Sequence, residues 1–229
     1  MKRIEAILFD SDGVLVDTER LFFEATQAAF HAAGATLSPI QWATWYLAEG
    51  RRSRDIAEIV GIPPSRIDQV VGNRDRLFWS RVDQGVPLLP GVTDTLRNLA
   101  GNFRLAVVTG ASRRHYDRVH ASSGLQGFFE ATITTDEYKH GKPHPEAYVT
   151  ALKKLSLEPH QCLAVEDSPR GAKAARAAGI RCVVVPTALT DLPQCPADCD
   201  IIENLALLGG LLESYTRSAD GPSYFPSQQ

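Results

Sequence analysis

The sequence is poor in long apolar runs, and none approaches the ~18 residues of a membrane-crossing helix, so no membrane-spanning role is expected. Basic residues are also few. Lys and Arg total 24 against 27 Asp and Glu, a net charge of −3, which is the opposite of the basic excess of nucleic-acid polymer binders. Small anionic ligands remain open, because one local basic site is enough to hold them. Cysteine is scarce: Cys195 and Cys199 form a single C-x3-C with no second half, so a zinc site is not expected. Cys162 and Cys182 lie in or beside apolar runs and read as buried thiols, which makes a reducing cytoplasm the expected home. No leader-like n-region, h-region or cleavage site precedes the first strand-like segment. There is no internal repeat, coiled-coil pattern or large apolar tail, so a monomer is expected.

What is present is an ordinary apolar content of 44% in 229 residues, enough for one core domain and a modest second one. Four short runs stand out: Ile4–Phe9, Leu105–Val108, Cys162–Val165 and Cys182–Val185. They are continuous rather than alternating, as strands buried on both faces of a parallel sheet must be. Helix-like segments separate them. The clearest follows Ser168 as cap and Pro169 at the first position, with Gly179 as stop; others are expected over Val92–Leu99 and His144–Leu155. The expectation is an α/β fold, a doubly wound parallel sheet.

The first half breaks that rhythm. Far more residues separate Phe9 from Leu105 than the ~30 of one strand-helix-strand unit, and the excess contains no convincing strand. Amphipathic helices are expected instead over Phe22–Ala33, Pro39–Leu47, Ser53–Val60 and Ser65–Val82, with Asp17 and Thr18 capping the first. This implies a helical cap over 18–87 inserted into a core formed by 1–17 and 88–215. The segment 216–229 is polar and rich in Ser, Pro and Gly, and is expected to be a disordered tail.

Ligands of open parallel sheets bind at the carboxyl ends of the strands. There the runs deliver Asp10 and Asp12, Thr109, and Glu166 with Asp167, while a loop before a helix adds Lys142. Carboxylates converging on one pocket need a cation, and oxygen-only donors favour Mg2+. Asp10 at the strand tip suits a nucleophile toward phosphorus, and Asp12 suits the acid and base. Thr109, the Gly110 amide and Lys142 suit the phosphoryl oxygens.

The stretch Phe9-Asp10-Ser11-Asp12-Gly13-Val14-Leu15-Val16-Asp17-Thr18-Glu19 resembles the first motif of the haloacid dehalogenase superfamily. Val107-Val108-Thr109-Gly110, Gly141-Lys142-Pro143 and Val165-Glu166-Asp167-Ser168 resemble the second, third and fourth, in the correct order. The match continues through Pro169-Arg170-Gly171 and the helical insertion, as in the subfamily with a helical cap on a Rossmann-like core. The resemblance implies a Mg2+-dependent phosphatase acting on a small phosphorylated substrate of sugar phosphate or phosphoglycolate type, through an aspartyl-phosphate. It implies Mg2+ ligation by the Asp10 carboxylate, the Asp12 carbonyl and Asp167, with Glu166 a further ligand or a supporting residue. From the inserted helices and two short linkers, a cap that closes over bound substrate is expected.

Asp12 argues against dehalogenation, and the lack of any lysine between Lys2 and Lys139 against Schiff-base chemistry in the cap. A β-phosphoglucomutase-like mutase is the alternative, weakened by Phe22 where such enzymes carry histidine. A non-catalytic phospho-aspartate switch is a further one, disfavoured by Asp12, which promotes turnover. Arg51, Arg52 and Arg54 are candidates to grip an anionic substrate from the cap. His140 and His144 are expected to be solvated loop residues, and Ser168 a cap rather than a nucleophile.

Overall fold

A computed structural model describes residues 4–219. Six parallel strands, β1 (Ala6–Phe9), β2 (Arg104–Val108), β3 (Ala131–Ile133), β4 (Cys162–Glu166), β5 (Arg181–Val184) and β6 (Asp200–Ile201), form one sheet in the order β3-β2-β1-β4-β5-β6. The four expected strands are there. β3 and β6 are additional, and at three and two residues they are too short to register as apolar runs. Side chains alternate across the sheet, and both faces are buried. Ala6 and Leu8 face a cluster with Val108, Tyr148, Ala151 and Ala175, whereas Ile7 and Phe9 face one with Leu96, Leu163, Leu205 and Leu208. That double burial is why β1 is apolar at every position.

Between β1 and β2 the chain makes α1 (Thr18–Ala32), α2 (Pro39–Trp42), α3 (Ser53–Ile59) and α4 (Pro64–Val82), the inserted helical cap, and then α5 (Val92–Leu99). The helix expected over Pro39–Leu47 is split. Ser38 and Gln41 cap α2 reciprocally, and from Ala43 the helix widens into a π-helical stretch to Ala48. Phe30, Trp42, Ile56 and Ile67 form the cap's own core. A separate cluster of Val16, Leu21, Phe78, Val82 and Val119 fills the junction with the sheet domain. The two connecting segments run side by side, with the Asp17 N–H donating to Pro87 O (3.0 Å) and the Leu89 N–H to Leu15 O (3.1 Å).

The remaining helices are α6 (Arg113–Val119), α7 (Glu146–Leu155), α8 (Pro169–Ala177) and α9 (Leu208–Ala219). α7 starts two residues later than expected, after Pro143 and Pro145. Residues 216–219, assigned to the tail from composition, instead continue α9. That helix is anchored upstream, where Leu208, Leu212 and Tyr215 enter the core at helical spacing. The rest of the expected disordered tail, 220–229, lies outside the described residues.

Candidate active site

Asp10 stands one residue past β1, and its N–H donates to Val165 O at 2.9 Å, which fixes the strand tip between β1 and β4. Its Oδ1 accepts the Ser11 N–H (2.8 Å) and lies 3.2 Å from Lys142 Nζ. Lys142 is buried, and Nζ also reaches Glu166 Oε1 (2.6 Å) and Val108 O (2.9 Å). An ammonium has three N–H donors, so each is engaged. Tyr148 of α7 donates to the same Glu166 Oε1 at 2.5 Å. The lysine, which lies far from both strands in sequence, is thus aimed by the ends of β2 and β4 together.

Between the two aspartates, Ser11 is buried and its Oγ lies 2.9 Å from Nε2 of His120, itself fully buried, whose Nδ1 lies 3.1 Å from Ser123 Oγ. Burial holds the His120 pKa below its ordinary value, against the pull of Asp12 and Asp117. Asp12 accepts from Thr18 Oγ1 at 2.5 Å on one oxygen and from Thr109 Oγ1 at 3.4 Å on the other. Here the expected capping pair is corrected. Asp17 makes no cap hydrogen bond and pairs with Arg20 Nε (2.6 Å), while Thr18 orients Asp12. Ser168 is a cap as expected, accepting the Gly171 N–H at 3.2 Å.

These groups meet at a cavity of about 410 Å³ between sheet and cap. Asp10, Asp12, Gly110, Lys142 and Asp167 line one end, and Phe22, Tyr46, Asp75, Phe78 and Trp79 come from the cap. Thr109 is fully buried behind Gly110, with its hydroxyl accepting the Ala111 N–H (3.0 Å). The three cap arginines do not line the cavity. Arg51 pairs with Glu49, Arg52 with Asp55 and Arg54 with Asp68, all at the exposed start of α3. The arginine that does line it is Arg170, next to the fourth motif. Its Nε donates to Lys142 O (3.1 Å) and its Nη1 to Tyr46 O (3.3 Å), bridging sheet domain and cap, while its side chain lies against Gly50. His140 and His144 sit outside on exposed loop positions beside Glu146.

Asp10, Glu166 and Asp167 are all buried, and each has an oxygen within 4.8 Å of those of the others. Burial first, then Glu166 and Asp12, push the Asp10 pKa up to about 8, with Lys142 and the Ser11 N–H pulling the other way. Burial and then Asp10 and Glu19 raise Asp167 well above the carboxylate range. Asp167 Oδ2 is buried without a protein partner and faces Gly13, where a Cβ would collide with it. Carboxylates crowded in this way need a cation beyond Lys142 to ionise together. An orphaned carboxylate oxygen with nearby oxygen donors fits a hard divalent ion. Glu166 Oε1 serves Lys142 and Tyr148, while its Oε2, like Asp167 Oδ2, is buried without a hydrogen-bond partner and lies against a glycine, Gly171.

Sequence reasoning gave Thr18 a capping role only, and none to Glu19, Tyr148, Asp75, His120 or Arg170. Glu19 lines the cavity with Oε2 buried and unpaired, and burial, then Asp12 and Asp10, raise its pKa to about 8. Glu19 and Arg170 fall inside the motif stretches, so those were the available signals.

A parallel sheet with an acid-rich carboxyl edge, a buried lysine and an inserted helical cap is the framework of a hydrolytic enzyme. The chain belongs to the haloacid dehalogenase-like hydrolases, whose family model matches residues 4–179. It is 34% identical over 198 residues to protein CbbY of Rhodobacter capsulatus, covering 82% of this chain and 87% of that protein. It is 30% identical over 188 residues to the phosphorylated carbohydrates phosphatase of Thermotoga maritima, covering 77% and 82%. A crystal structure of CbbY from Rhodobacter sphaeroides in complex with xylulose-(1,5)bisphosphate superimposes with a TM-score of 0.73 at 28% identity, covering 90% of this chain and 96% of that one.

Proposed function

We propose that the protein is a Mg2+-dependent phosphatase that hydrolyses a small phosphate monoester through an aspartyl-phosphate on Asp10. The observation that carries this is the convergence on one cavity of a rigidly held strand-end carboxylate, a second carboxylate two residues on, and a lysine with both its neighbouring acids buried. The relatives named for phosphatase activity support the substrate class.

Asp10 and Asp167, with the Asp12 carbonyl, are the groups that would hold Mg2+. Bound there, the ion would neutralise the carboxylates and polarise the phosphoryl group. Asp10 Oδ attacks phosphorus in line; the Asp10–phosphorus bond forms as the ester P–O bond breaks. Asp12, held by Thr18 and Thr109, gives its proton to the departing oxygen. It then takes a proton from the water that bonds to phosphorus and frees Asp10. Lys142 and the backbone at Gly110 meet the charge on the phosphoryl oxygens. Glu166 and Tyr148 keep the lysine aimed.

The mutase alternative gains no support from Phe22. That ring is packed edge-on to Phe78 (5.1 Å) and tilted against Tyr46 (5.5 Å), and it has no proton to carry.

The test is phosphate release from a panel of small esters, with and without Mg2+, by wild type and Asp10→Asn. Release that requires both Mg2+ and Asp10 is the expected result. An Asp10→Asn enzyme that keeps its turnover would overturn the assignment.

A further inference from the structure

The cavity has two chemically different ends. Beyond the phosphate site, the cap supplies a ring-lined wall: Phe22 against Phe78, and Phe78 beside Trp79 (5.0 Å). His115 of α6 packs onto Phe78 (5.8 Å) and Trp79 (4.8 Å). Among the described residues, two cap carboxylates line the cavity: Glu19 of α1, and, beside this wall, Asp75 of α4. Its Oδ1 accepts from Arg74 Nε at 2.8 Å, and its side chain is half-exposed. Arg74 is in turn buried, donating to Ser53 Oγ at 2.7 Å with its guanidinium 4.4 Å from the Phe22 ring centre. One oxygen of the carboxylate is therefore held by a fixed arginine, while the residue lines the cavity.

A carboxylate only accepts hydrogen bonds, so Asp75 welcomes hydroxyl donors and repels a carboxylate or second phosphate. Aromatic faces suit the C–H faces of a carbon chain or ring. Of the cations lining the cavity among the described residues, Lys142 is paired with Asp10 and Glu166, and Arg170 donates to two carbonyls. From this we infer that the cap wall selects phosphate monoesters with an uncharged, hydroxylated leaving group, a polyol or sugar, and that Asp75 reads its hydroxyls. The inference rests on the phosphatase reading and sharpens it, separating such esters from phosphoglycolate and from bisphosphates.

The experiment measures kcat and KM with Mg2+ for glycerol phosphate and an alditol phosphate, phosphoglycolate, a sugar bisphosphate, and p-nitrophenyl phosphate as a reporter without hydroxyls. The wild type is expected to favour the alditol phosphate over phosphoglycolate and the bisphosphate by at least about tenfold in kcat/KM. Asp75→Ala is expected to lose about ten times more kcat/KM on the alditol phosphate than on the reporter, mainly through KM. Asp75→Asn, which keeps an acceptor but no charge, is expected to regain part of that loss and to narrow the discrimination against phosphoglycolate. A wild type that prefers an anionic leaving group, or an Asp75→Ala loss equal on both esters, overturns the inference while leaving the phosphatase intact. No release from any ester, the reporter included, overturns both.

Discussion

Glu166 is the end residue of β4, and its two oxygens do different things. Oε1 collects Lys142 and Tyr148, while Oε2 is pressed against the Cα of Gly171 in the first turn of α8. A methyl at 171 would collide with that carboxylate, and the carboxylate has no room to turn without abandoning the lysine. Gly171→Ala is accordingly expected to cost about 1–3 kcal/mol of stability and to lower kcat by displacing Lys142, read by chemical denaturation and steady-state turnover. An alanine variant with wild-type stability and turnover would show that the packing is looser than described. At this scale the sequence spoke unevenly. Asp10, Asp12, Lys142 and Asp167 were legible because each lies just past an apolar run or in a short motif. Thr18, Tyr148 and Asp75 were not, because their meaning comes from what the folded chain brings beside them. Arg51, Arg52 and Arg54 misled for a related reason: charge density carries no direction, and each found a surface acid instead.

At the scale of elements, the loop that carries Lys142 is tied to the start of α7 by Glu146. Its carboxylate accepts the N–H groups of Lys139 (3.1 Å) and His140 (2.9 Å) and lies 2.6 Å from His140 Nδ1. The Lys139 N–H first, then the His140 ring and N–H, hold the Glu146 pKa down at about 2, below its ordinary 4.5. A folded-state pKa below the unfolded one gives stability that is present above the unfolded value and lost as pH falls through the folded value. Glu146→Gln is therefore expected to melt below wild type at neutral pH, with the difference shrinking as pH falls from 4.5 toward about 2. A gap independent of pH would contradict this role. Element boundaries followed the same logic of visibility. β1, β2, β4 and β5 are buried on both faces and therefore apolar throughout. β3 and β6 lie at the sheet edges, where a few residues suffice. The π-helical stretch at 43–48 has no signal in apolar spacing, yet it brings Tyr46 and Leu47 to the cavity.

At the scale of the molecule, an insertion of helices into a parallel sheet was readable simply because the stretch was too long for a crossover and held no strand. The way the two parts communicate was not. Arg170 reaches from the sheet domain to the π-helical stretch of the cap, and the paired connections at Asp17–Pro87 and Leu15–Leu89 give the cap a narrow base. Such an arrangement suits closure of the cap over bound substrate, with Arg170 as the contact made or broken.

The central claim remains covalent chemistry at Asp10, and it is tested most directly by trapping. Enzyme turning over a small phosphate ester with Mg2+ is acid-quenched, reduced with borohydride and digested for mass spectrometry. An acyl phosphate at Asp10 is expected to appear as homoserine at position 10, and to be absent without Mg2+ or in Asp10→Asn. Steady release of phosphate with position 10 unmodified under every quench time, together with a Asp10→Asn enzyme that still turns over, would contradict the account.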